Sequence, residues 1–266
     1  MRLQNLPLNA PRPARWLRGA IVLIFSCLAS HGTHAGERED FIAGKIKSCQ
    51  KCDLAEVSFK RRDLTGVDLT GANLKNANLH DARLIGAKLD GAQLDGANLN
   101  KSDLSRASLR KANLSEAMLY GAKLDGASLE AADLSKAMMG ALRATRVDFR
   151  AANLTQADMR KARIADSQFD QAKLDGAALD FAFARGAQFT NASLLGARLI
   201  NAELMQSKFT SANLSGADLY GAKLRDASLN QAKLTASSLR KADLTGVNID
   251  AAMLDQTIMP DGSRVP

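Results

Sequence analysis

The sequence predicts an all-β rod in which the chain turns a corner every five residues and completes a coil every twenty. Three observations predict it. Every fifth residue over 54–259, 42 positions in one unbroken register, is Leu, Ile, Met or Phe, except at Ala144 and Ala184. The residue two places earlier is nearly always Ala, with Ser102, Ser167, Ser207 and Ser237 or Val57, Val67, Val147 and Val247 as substitutes. Finally, Phe149, Phe169, Phe189 and Phe209 recur at a spacing of 20.

Geometry selects the rod. Five α-helical residues turn through about 500°, so the large side chains would spiral around a helix and share no face. In a flat strand, five steps reverse the face each time and half of these side chains would point into water. A corner in every unit resolves this: each unit reads in, out, in, out, corner. Gly66, Gly71, Gly86, Gly91, Gly96, Gly121 and Gly126 fall at the corner and ease the bend.

Four units per coil stack the four Phe residues into one ladder. They also stack Met139 on Met159, and Ala144 and Ala184 on one side. Ala144 follows Leu142, a large-for-small swap, whereas Ala184 sits among Phe181, Ala182 and Phe183, so both rings are expected outside. Coils stacked at strand spacing, ~4.8 Å, make about ten coils and a rod on the order of 50 Å long.

The units "ADLTG", "ANLSG" and "AKLDG" resemble the pentapeptide-repeat proteins. The resemblance implies a right-handed quadrilateral β-helix over residues 52–259. Some cytoplasmic relatives resemble B-DNA in shape and negative charge and protect DNA gyrase. That role needs an acidic rod in the cytoplasm, and this chain departs from both requirements.

The first 35 residues are of another kind. Arg2, Arg12, Arg15 and Arg18 occur with no acidic residue, followed by the apolar run "GAIVLIFSCLAS" and then Thr33-His34-Ala35. This order is that of a secretory signal peptide cleaved before Gly36, leaving no membrane-spanning segment and a periplasmic or secreted protein. Lipoprotein anchoring at Cys27 is the minor alternative. The leader carries four of the 36 basic residues, which leaves 32 against 28 acidic, a charge of +4.

Residues 36–51 read as a cap, with Phe41, Ile42 and Ile46 on one face of a short helix, and Arg62 intrudes at an inward position of the first coil. Residues 260–266 read as a turn and tail. Cys49 and Cys52 suit a disulfide in an oxidising compartment. A redox or other enzymatic use of the pair is the alternative, but Asp53 stands where haem attachment requires His, and no thioredoxin-like pattern surrounds the pair.

No catalytic, cofactor-binding or metal-binding set is expected. Of three His residues only His80 lies outside the leader, and the many Asp residues flank the central Leu on the outside. What remains is the surface. Folding the chain in twenties lines up Arg83, Lys123, Arg143, Arg163 and Lys223, with Arg106, Arg146 and Arg185 beside them, interrupted by Asp103, Asp125, Asp166 and Glu203. This candidate basic face suits an acidic partner such as anionic lipid headgroups or polysaccharide, or an unknown protein, and no nucleic acid is expected outside the cytoplasm. The chain therefore reads as an exported, non-enzymatic scaffold or interaction surface.

Overall fold

The computed structural model describes residues 29–266. Most of the expected leader, residues 1–28, lies outside them. Helix α1, Ala29–Ile42, is followed by a ladder of parallel pairings in which each outward residue meets the one twenty further on: Ser48 with Asp68, Asp53 with Asn73, Ser58 with Asn78, Asp63 with Arg83. This register continues to the pairing of Ser238 with Ile258. No described helix is long and apolar enough to cross a membrane.

The hydrogen bonds explain both the ladder and the motif. In the unit around Leu69, the N–H of Asp68 donates to Lys47 O at 2.9 Å, that of Leu69 to Lys88 O at 2.8 Å and that of Gly71 to Asp90 O at 2.9 Å. The Ala72 N–H closes the corner onto Leu69 O at 3.0 Å. One N–H of the five, that of Thr70, has no backbone acceptor in this scheme. The Asp68 carboxylate accepts it at 3.1 Å. Asp63, Asn73, Asn113, Asp133 and Asn153 serve their own units in the same way, and Asp125 and Asp170 do so for the coil above. Asp and Asn therefore precede or follow the central residue because the backbone needs an acceptor there.

Continuous strands, expected of an all-β chain, do not form. Each side of a coil offers one paired residue before the next turn, so the ladder is a stack of single bridges. Nor does glycine set the corner. Positive φ recurs at 28 non-glycine corners, Arg146 at 55° and Phe181 at 57° among them. At ~1 to 2 kcal/mol each, this strain is held by the ladder and the core.

Large and small inward residues alternate and are buried. The rings of Phe149, Phe169, Phe189 and Phe209 stack with successive centroids 4.8 Å apart. Leu142 is buried beside Ala144. Phe181 and Phe183 are 50% and 47% exposed, with Ala182 buried between them.

Both ends are closed by named contacts. Arg62, at an inward position where other units carry Ala, donates to Ile42 O at 2.7 Å and Phe41 O at 2.8 Å. Its guanidinium lies 5.4 Å from the Phe59 ring centroid and 5.9 Å from that of Phe41. A cation thereby meets the carbonyl end of α1 and fixes the helix to the first coil. Gly44, at φ 78°, leaves room there, since a Cβ would stand 3.0 Å from the guanidinium and press on it. Cys49 and Cys52 form a disulfide across the first turn, with both residues buried. At the far end the 3₁₀ turn Ile249–Ala251 interrupts the ladder. The tail then reverses, and Ile258 pairs antiparallel with Arg264, covering a strand edge.

Candidate functional site

The outward column that carries the basic candidates runs Asp63, Arg83, Asp103, Lys123, Arg143, Arg163, Phe183, Glu203, Lys223, Asp243. Acidic neighbours engage much of it. Arg83 lies 3.8 Å from Asp63, Lys123 lies 3.8 Å from Asp103 and Lys223 lies 2.9 Å from Glu203. Arg106 stands two coils below Arg146, with Gly126 between them.

Arg143 and Arg163 are adjacent in the ladder, and Arg146 and Arg185 lie at the corner beside them. Arg143 reaches Asp125 only at 4.0 Å, and Arg185 donates to the neutral Gln206 at 3.0 and 3.1 Å. Lys161, which the column reading omits, lies at the neighbouring corner. Residues 141–146, 161–166 and 181–186 thus hold five cations, Arg143, Arg146, Lys161, Arg163 and Arg185, against one acid, Asp166. That excess of +4 equals the net charge of the whole chain beyond residue 35.

The same three coils present Phe181 and Phe183, exposed on either side of Ala182. The Arg163 guanidinium lies 5.9 Å from the Phe183 ring centroid. Sequence reasoning placed both rings outside but did not join them to the cations. Folding the chain in twenties was sufficient to find the link, since 163 and 183 differ by one coil.

Little else in the described residues offers chemistry. No three His, Cys, Asp or Glu side chains converge in a way that could hold a metal ion. The one buried carboxylate, Asp180, accepts from the Ile200 N–H at 3.2 Å, and its Oδ2 lies 2.8 Å from Arg198 in a charge contact without an aligned hydrogen bond. The Asp148 and Asp158 carboxyls lie below the usual carboxylate range because the side chains of Arg150 and Arg160, respectively, hydrogen-bond to them. These are structural roles.

The pattern of the family described as pentapeptide repeats matches the chain in eight overlapping copies, from 52–91 to 222–259. The chain is a pentapeptide-repeat protein. Solved members of the family are similar to it. HetL of the cyanobacterium Nostoc sp. strain PCC 7120, involved in heterocyst differentiation regulation, is 30% identical over 86% of this chain and 98% of its own, with a TM-score of 0.36. A pentapeptide-repeat protein of the Arabidopsis thaliana thylakoid lumen is 29% identical over 38% of this chain and 70% of its own, with a TM-score of 0.37. QnrB1, a plasmid-mediated fluoroquinolone resistance protein, is 20% identical over 63% of this chain and 89% of its own, with a TM-score of 0.51. No curated protein sequence matches the chain. Membership makes this pentapeptide-repeat chain a right-handed β-helix, and leaves its individual role to its surface.

Proposed function

We propose that this pentapeptide-repeat protein is an exported, non-enzymatic scaffold that holds an acidic partner against the basic face centred on Arg143, Arg146 and Arg163. We read the rod as quadrilateral, with about ten coils of four units. A rigid solenoid repeats equivalent outward positions, which suits attachment along a surface better than assembly of one reactive centre. The carrying observation is the five-to-one excess of cations over acids in 141–146, 161–166 and 181–186.

Export rests on the arginine-rich leader with its apolar run, and agrees with a disulfide between Cys49 and Cys52. The redox alternative draws less support, since both cysteines are buried. Gyrase protection by DNA mimicry remains a weaker reading for a chain of this charge.

The test is binding to an immobilised acidic polymer and to acidic vesicles at about 50 and about 500 mM NaCl, because exposed charge attraction is screened by salt. The reading requires binding that weakens with salt and is lost in R143E/R146E/R163E. Unchanged binding by that variant would sink it.

A further inference from the structure

We infer that the acidic partner of this face is an anionic lipid surface, and that Phe181 and Phe183 enter its interfacial layer while the surrounding arginines hold its phosphates. This rests on the basic-face reading and names its partner. Six of the nine Phe residues, Phe41, Phe59, Phe149, Phe169, Phe189 and Phe209, are fully buried; among the described residues only Phe181 and Phe183 leave about half their surface in water. The core does not use them, because Ala182 and Ala184 fill the inward positions of that side.

Phe181 occupies a corner at φ 57°, a conformation in which Asn occurs one coil later at Asn201, φ 54°. A bulky aromatic there combines a strained corner with half-exposed apolar surface. Both costs are offset if the ring leaves water on binding. Five cations lie on the coil of the pair and the two coils below it, with Asp166 among them and Asp125 beside Arg143, while on the coil above Glu203 pairs with Phe183 in the ladder and is held by Lys223, so the patch is apolar at its crest and positive on the side toward Arg143 and Arg163. A corner of the rod is convex. It can press into a headgroup layer, whereas a soluble acidic chain would require a groove to retain it. Aromatic insertion combined with arginine attraction is the two-part signature of an interfacial anchor.

The test is co-sedimentation of the chain from Gly36 onward, the form that the proposed export leaves, with phosphatidylcholine vesicles, alone or with about 30 mol% phosphatidylglycerol, and competition by dextran sulfate. Phe181→Asn with Phe183→Ser removes both rings, and R143E/R146E/R163E removes the charge. Both sets lie on the surface, and circular dichroism and disulfide retention check folding. The expected result is binding only to the anionic vesicles, about tenfold weaker in the Phe variant, equivalent to ~1.4 kcal/mol. Loss of that difference at high salt is not expected, because the aromatic contribution is not screened.

If the Phe variant binds anionic vesicles as tightly as the parent, the lipid inference falls. If binding goes to dextran sulfate instead, and is lost only in the arginine variant, the basic-face reading stands and the lipid inference falls. If the parent binds neither vesicles nor polymer, both fall.

Discussion

The hydroxyl of Ser167 donates to the carbonyl of Ala144, one coil below, at 2.6 Å, and accepts the Val147 N–H at 3.0 Å. Elsewhere that N–H closes its own corner, as Ala152 N does onto Phe149 O. At Ala144 the hydroxyl is inserted into the corner. Ser102 and Ser207 differ, since each donates to a carbonyl, Leu99 O or Leu204 O, that already accepts the residue's own N–H. Ser167→Ala is therefore expected to cost ~1 to 3 kcal/mol through unpaired buried backbone groups, and Ser102→Ala or Ser207→Ala less than ~1 kcal/mol. Urea midpoints of the three variants check the order.

The Phe ladder gives a second contrast. Phe189 stacks between Phe169 and Phe209, and the same column carries Leu at positions 69, 89, 109, 129 and 229. Phe189→Leu should cost under ~1.5 kcal/mol, because that side of the rod already accommodates Leu. Phe189→Ala should cost ~3 to 5 kcal/mol by opening a cavity. Equal denaturation midpoints for the two variants would show that the column is not tightly packed.

Arg62 ties α1 to the rod. Arg62→Ala removes two charge-assisted hydrogen bonds, each worth ~1.5 to 3 kcal/mol, and releases the helix more than it weakens the distant coils. Limited proteolysis should show faster cleavage over residues 36–46 with the repeat intact. Cleavage at the parental rate would place the anchor elsewhere, in Arg38 to Asp53 O for instance.

Acid should loosen the middle of the rod. The carboxyls of Asp148 and Asp158 lie below their unfolded value in the fold, held there mainly by the side chains of Arg150 and Arg160. The unfolded chain therefore binds more protons in that window. The contribution is complete above about pH 4, the unfolded carboxylate value, and is lost as pH falls through the folded one. Asp148→Asn with Asp158→Asn should lower stability at pH 6 and flatten its further fall toward pH 3, read as urea midpoints.

The period of five and the Phe spacing of twenty made the coil legible, because core packing writes one residue type at one phase. Arg62 broke that phase and Ser167 kept it as one small substitute among four serines, so the sequence showed a break at the first and nothing at the second. Their partners, the carbonyls of Phe41, Ile42 and Ala144, are backbone groups 20 to 23 residues away and leave no mark in the residue types. The absence of strands was hidden for a related reason: alternation in five residues looks like a strand, but only one residue per side pairs. At the candidate site the cations were legible as a column. Which acid each cation reaches, Asp63 for Arg83, Asp103 for Lys123, Asp125 for Arg143 and Glu203 for Lys223, depends on side-chain reach, which spacing does not encode.

The central claim is that one face, and not overall charge, makes this protein a binding surface. Its most direct measurement compares R143E/R146E/R163E with K111E/K173E/K233E, which changes the net charge equally on other sides of the rod, in binding to anionic vesicles at low salt. The account expects at least a ~10-fold loss for the first variant, about 1.4 kcal/mol, and less than a ~2-fold loss for the second. Equal losses in the two would contradict it.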